Sequence, residues 1–403
     1  MKSLTPRERM ITAMTNGVPD RIPVTPDISN MIPSRLTGKP FWEVYYFADP
    51  PLWQAYLEAV KYFGFDGWFT EGEMQYQWPG DRYRVIEDMQ KTEDRWVVRY
   101  RGRIDGCRYT TETTFYAGDP PTTTEKIIKN LETEWELVEK LFAPPVGYNP
   151  SRLKQQRAAI GELGAFGISI GYPGFQNWFG LFEGGIETLT YAYQDHRDLI
   201  LRLRELNEQQ VVAQMEMILA ERPDFVLLGA SGTITMQSPK LAKELCLPTI
   251  QKLTAMAKAA GIPTMLHSCG KERILIKWCA EDTDLNCINP LELAPMGDCD
   301  LAEVKRSHGH QIALMGNLHT TQTMLFGSPE QVKLASLQAI QAAGENGGFI
   351  LSTGDQCGRD TPDANIRAMI ETVEQFGHYP LDMDAIQQEI DRLSERLPAG
   401  END

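Results

Sequence analysis

His267 and Cys269 stand two residues apart in the run PTMLHSC, residues 263–269. On an extended strand that spacing puts an imidazole and a thiolate on one face, where both reach a single metal ion. A second cysteine, Cys357, ends the loop Ser352-Thr353-Gly354-Asp355-Gln356-Cys357. Gly354 and Gly358 give that loop the freedom to fold back over the same spot. Glu292, in Asn289-Pro290-Leu291-Glu292, offers an oxygen either as a fourth ligand or as the partner that orients His267. One imidazole with two thiolates suits zinc better than magnesium or calcium. Zinc held this way lowers the pKa of an incoming thiol or hydroxyl, or polarises an ether oxygen, as methyl transfer to or from sulfur or oxygen requires. A lone HxC is a weak motif, and a buried cysteine is usually only a small apolar residue. The case for metal rests on both cysteines falling where strands end.

Other polar residues follow the same pattern of placement. Glu71 and Glu73 come after one strand, Tyr172, Gln176, Asn177 and Trp178 after the next, and Asn317 and His319 after a later one. Glu292, Asn317 and His319 are the catalytic candidates, His319 as a helix cap or a proton carrier, and the pair Glu71 and Glu73 could act as acid and base. Glu71, Tyr172, Trp178 and Asp355 are the candidates for lining a substrate pocket, against a solvated-loop reading for Glu71. Asp355 and Arg359 flank Cys357 and equally suit a salt bridge that holds the loop. The remaining cysteines, 107, 246, 279, 287 and 299, read as structural.

These groups need a scaffold that gathers strand ends. Eight short apolar runs, at 21–26, 65–71, 165–171, 224–230, 263–269, 284–290, 311–317 and 348–354, are each followed by a helical pattern. Most lack strict alternation, as strands buried on both faces do. The series predicts an α/β fold, a (β/α)8 TIM barrel over residues 1–403 as one domain, with its reactive groups at the carboxyl ends of the strands. Ser328-Pro329-Glu330-Gln331 and the pair Asp300 and Glu303 mark helix starts. Thr5 and Pro6 open an N-terminal helical extension. Between the second and third runs the rhythm breaks. Residues 84–150 form an insertion, and its stretch 95–116 is dense in aromatic and β-branched residues, which predicts an antiparallel hairpin or small sheet. It either covers the barrel mouth or is a solvent-side ornament.

Bulk composition narrows the function classes. The chain has 403 residues, is 42% hydrophobic, and carries a formal charge of -16 from 39 basic and 55 acidic residues. That charge repels phosphate backbones and argues against nucleic acid as a partner. No apolar run is long enough to span a membrane. Seven cysteines, an odd number without an export signal, predict reduced thiols in the cytoplasm.

The opening TPRERMITAMTNGVPDRIPV and the stretch Met315–Leu318 (MGNL) resemble the uroporphyrinogen decarboxylase superfamily. The resemblance implies a (β/α)8 barrel. The decarboxylases themselves use no metal and carry an arginine-rich RQAGRY segment after the first strand. Here that stretch reads DISNMIPSRL, residues 27–36, with Arg35 as its only arginine. The HxC pair and the later cysteine instead look like the corrinoid-dependent methyltransferase branch, which includes methylcobamide:coenzyme M methyltransferases and O-demethylating enzymes. By that likeness His267, Cys269 and Cys357 are zinc ligands, with Glu292 a further candidate. The cobalamin would arrive on a separate corrinoid-binding protein, since no DxHxxG signature occurs in the chain. The small-molecule partner would be a methyl donor or acceptor, a methoxy compound or a thiol, and a homodimer is one arrangement open to the barrel. A metal-free decarboxylase of a porphyrinogen-like or other carboxylated substrate is the alternative. A third reading is a binding protein that captures a corrinoid or porphyrin without turnover.

Overall fold

The computed structural model of the protein describes residues 3–229 and 231–397. Seven parallel strands form one curled sheet in chain order: Gly67–Phe69, Gly164–Ile170, Phe225–Gly229, Thr264–His267, Cys287–Asn289, Ala313–Leu318 and Phe349–Thr353. The gap between the last and the first is filled by residues 21–26. Thr25 N–H donates to the Leu351 carbonyl at 3.0 Å, and Leu351 N–H donates to the Pro23 carbonyl at 2.9 Å. On its other side, Asp66 N–H donates to the Val24 carbonyl at 3.0 Å. Pro23 and Pro26 each remove a backbone donor, so this segment makes ladder bonds only in part, yet it closes the ring. The architecture is the TIM barrel that the strand–helix rhythm predicts. The run at 224–230 ends on Ala230, which lies outside the described residues.

Inside the ring, Trp68, Ala165, Phe225, Leu227, Met265, Cys287, Ala313, Met315 and Ile350 form a core of their own. Met10, Ala13 and Met14 join it from the helix Pro6–Met14, which plugs the amino-terminal end of the barrel. Thr5 caps that helix and exchanges hydrogen bonds with Glu8, so the start signal acts locally as its sequence predicts. The plug is then pinned electrostatically. Arg9 pairs with Asp66 at 2.5 Å and with Asp20 at 2.7 Å, Arg21 pairs with Asp66 at 2.8 Å, and Arg7 pairs with Asp224 at 2.6 Å. The closed bottom leaves the carboxyl end as the face on which an open site can form.

The segment between the second and third positions of the ring carries a four-stranded antiparallel sheet, Arg82–Lys91, Arg95–Ile104, Cys107–Tyr116 and Thr122–Glu125. One face packs Val98, Phe115, Met89 and Trp96 against Trp42 and Tyr46. Phe41 N–H donates to the Ala117 carbonyl, and the Arg359 guanidinium donates to the Gly118 carbonyl. Arg359 belongs to the loop after the last barrel strand, so the inserted sheet is moored at the rim of the mouth. No helix among the described residues is long and apolar enough to cross a membrane.

Candidate metal centre at the barrel mouth

Alternation along Thr264–His267 explains where the histidine points. Met265 faces into the barrel core, so His267, two residues on, faces into the space above it. Cys269 follows after the strand ends. Its Sγ lies 3.1 Å from His267 Nε2. Asp355, from the loop after Phe349–Thr353, brings a carboxylate oxygen to 3.9 Å from the same nitrogen. Ligand atoms of His267, Cys269 and Asp355 all lie within 4.8 Å of one another. A tetrahedral zinc with ordinary N and S bond lengths holds its donors about 3.5 Å apart, so these three are near the spacing it needs.

Two further features mark the site. His267 Nδ1 and Asn289 Oδ1 are buried polar atoms without a partner, and His267 and Asn289 are paired in register across adjacent strands. Buried polar groups left unsatisfied in this way are rare and call for a ligand, an ion or water. Asp355 also holds φ at +136°, a conformation that a non-glycine residue keeps only when its surroundings impose it.

The electrostatics around the cluster are acidic. Asp27, after residues 21–26, is buried; burial pushes its carboxyl up, His267 pulls it down, and Asp355 adds to the rise. Glu292 is pushed up by burial, partly offset by the Gly270 N–H that donates to it. Burial pushes the Cys269 thiol far up, and Asp355 raises it further. Among the described residues no lysine or arginine pairs with Asp27, Glu292 or Asp355; the basic side chain facing Asp27 and Asp355 is His267. A divalent cation bound here would relieve this arrangement, offsetting the carboxylates and favouring the thiolate form of Cys269.

The residues singled out in the sequence fall into distinct groups. His267 and Cys269 come together. Asp355, expected to touch substrate, instead joins them, and Arg359 pairs with Asp360 and Asp119 rather than with it. Cys357 is fully buried and outside the three-donor group: its N–H donates to the Asp27 carbonyl at 2.8 Å, and burial and Asp27 push its thiol up to about 12. Glu292 sits beside the centre, bound to the backbone next to Cys269. Asn317 donates through Nδ2 to the Leu291 carbonyl at 3.0 Å, a supporting position. His319 caps the short π-helix Thr320–Leu325, its Nδ1 accepting from Thr321 N–H and Gln322 N–H at 3.1 Å each. Glu71 stays at the rim and lines a narrow cleft with Ser29, Trp53 and Tyr56.

Tyr172 and Trp178 correct the sequence reading. Both are fully buried and offer no surface to a substrate. The Tyr172 hydroxyl bonds Thr233 at 2.7 Å, and Trp178 Nε1 donates to Asn207 at 2.9 Å, so their polar tips are satisfied within the core. Residues that the sequence reading passed over are Asp27, Glu272 and Asn289. The only signal for Asn289 is its place two residues beyond the inward-facing Cys287. A roomy cleft of about 530 Å³ lies elsewhere: it is outside the barrel wall between helices Leu301–His308 and Pro329–Ala343, and reaches Asn317 and His319.

Residues 183–376 match the family model of uroporphyrinogen decarboxylase (URO-D). Among curated proteins, the chain is 28% identical over 134 residues to uroporphyrinogen decarboxylase of Microcystis aeruginosa, covering 33% of this chain and 35% of that protein. It is 26% identical over 77 residues to the enzyme of Actinobacillus pleuropneumoniae, covering 19% and 21%. The chain thus spans about a fifth to a third of the length of these relatives. Among solved structures, a methyltransferase from Methanosarcina mazei superposes with a TM-score of 0.61 at 15% identity, over 93% of this chain and 99% of the other. That likeness is one of fold. Residues 183–376 of the TIM barrel are thus similar to the uroporphyrinogen decarboxylase family, and the fold as a whole is similar to that of the Methanosarcina mazei methyltransferase.

Proposed function

We propose that the protein is a zinc-dependent methyltransferase that moves a methyl group between a small methylated substrate, a methoxy compound or a thiol, and a corrinoid carried by a partner protein. The observation that carries the reading is the convergence of His267, Cys269 and Asp355 at the open end of the barrel. His267 and Cys269 would hold the zinc. The loop after the last strand would complete the set with Asp355, or with Cys357 two residues on, the softer donor of the two. When bound, the ion supplies Lewis acidity toward a substrate thiol or ether oxygen. The chain's own contribution is positional. Glu292 fixes the turn that follows Cys269, Asn317 braces the turn that carries Glu292, and the inserted sheet moored by Arg359 bounds the mouth on one side. The floor of the site is the closed apolar barrel core, which keeps water out from below. The cobalt centre would reach the site from the open carboxyl face.

The fold shared with a methyltransferase supports this reading. The decarboxylase alternative is disfavoured by charge. A polycarboxylate substrate needs cations at the mouth, whereas Asp27, Glu292 and Asp355 gather there. Arg35, the lone arginine of the early stretch, is engaged by Asp363 at 2.5 Å. The test is metal analysis of the purified protein beside Cys269→Ala, Asp355→Ala and Cys357→Ala, with a corrinoid methylation assay on methoxy compounds and methyl thiols. Zinc in the wild type, its loss in Cys269→Ala, and methyl transfer that stops with it are expected. Decarboxylation that persists in Cys269→Ala would overturn the proposal. The third ligand is whichever of Asp355 and Cys357 costs zinc when removed.

A further inference from the structure

The turn after Thr264–His267 and the turn after Cys287–Asn289 are tied to each other in both directions. Gly270 N–H donates to the Glu292 carboxylate, and Leu291 N–H donates to Glu272 Oε2 at 2.6 Å. Each turn thus lends a backbone donor to a glutamate of the other. The Leu291 carbonyl is held as well, by Asn317 Nδ2 at 3.0 Å. Leu291 itself is fully buried with φ at +63°, a left-handed conformation that a bulky residue adopts only under constraint. Both of its backbone polar groups are therefore clamped.

Glu272 is the unusual member of this set. It occupies the N-cap position of the helix Arg273–Asp282 but makes no capping bond. Asp298 takes that role, accepting from Glu272 N–H at 2.9 Å and Arg273 N–H at 3.0 Å. The Glu272 side chain is turned inward and fully buried, and its second oxygen has no partner. Burial pushes its carboxyl well above the usual range. Burying an acid in this way is costly, and neither helix capping nor an ion pair accounts for it. The contact that does is the one to Leu291.

We infer that Glu272 is a positioning residue: by holding the Leu291 N–H it keeps the Cys269 turn and Glu292 in register, and so sets the geometry of the donor cluster without touching it. This rests on the zinc reading above. The test uses Glu272→Gln, Glu272→Leu and Asn317→Leu in the full chain. Zinc affinity is read by competition with a chromogenic chelator, and hydrogen exchange is read at the Gly270 and Leu291 amides. Glu272→Gln should match the wild type, because its amide oxygen accepts from Leu291 and nothing else changes. Glu272→Leu should keep its near-UV circular dichroism but bind zinc about 10- to 100-fold more weakly, with faster exchange at Gly270. Should Glu272→Leu not fold, Asn317→Leu poses the same question from the other side of Leu291. Unchanged zinc affinity and unchanged Gly270 exchange in these leucine variants would overturn the inference. A wild type that binds no zinc, yet loses Gly270 protection in Glu272→Leu, would sink the metal reading and leave the clamp standing.

Discussion

At the amino-terminal end of the barrel Asp20, Asp66 and Asp224 each meet an arginine. At the carboxyl end Asp27, Glu272, Glu292 and Asp355 meet none among the described residues. Asp20 is thus stabilised as an anion at one end, while Asp27, Glu272 and Glu292 are raised toward their acid form at the other. Asp20 shows the first case: burial alone would raise its carboxyl, but hydrogen bonds from Arg9 and from the Leu4 backbone hold it at about 2. Asp27 and Glu272 show the second, where burial dominates. The lower end is built for stability. The upper end keeps carboxyl groups that no lysine or arginine among the described residues meets, an arrangement that a bound cation would offset.

Breaking the lower end should have the largest effect. Asp66→Ala leaves Arg9 and Arg21 facing each other with their shared partner gone, and is expected to cost about 3–5 kcal/mol of stability in urea denaturation. Zinc content per folded molecule should not change. Breaking the upper end should do the reverse. His267→Ala should abolish zinc binding, measured by metal analysis after gel filtration, while shifting the stability of the metal-free protein by only about 1 kcal/mol.

Two pH experiments sharpen the contrast. The folded value of Asp20 lies below its ordinary one. Its contribution is therefore complete above about pH 4 and is lost as pH falls toward 2; Asp20→Asn should remove about 2 kcal/mol at neutral pH and flatten the acid limb of the stability curve. Asp27 has the opposite sign. Its folded value lies above the ordinary one, so it favours the fold only when protonated, and that contribution is lost as pH rises through the folded value. Asp27→Asn should therefore raise the stability of the metal-free protein at neutral pH, by on the order of 1 kcal/mol. A loss of stability in that variant would show that the upper carboxylates are structural after all. The smallest effect belongs to the mooring of the inserted sheet: Arg359→Ala, at a half-exposed contact, should change stability by less than about 1 kcal/mol, and a change in substrate KM without loss of zinc would show that the sheet bounds the pocket.

The ring of strands, the helix starts at Thr5, Asp300 and Ser328, and the pairing of His267 with Cys269 were all determined by the sequence on its own. Each depends on neighbours within a few residues: an apolar run, a capping side chain, or two side chains on one face of a strand. The closure of the barrel by 21–26, the three arginines at its base, and the choice of Asp355 over Cys357 beside His267 were decided only in the tertiary structure. So was the burial of Tyr172 and Trp178, whose positions after a strand looked the same as those of true mouth residues. The physical reason is one of range. Local spacing says which face a side chain takes. Whether that face meets solvent, a core or an opposite charge depends on segments hundreds of residues away, as Cys357 N–H on the Asp27 carbonyl shows.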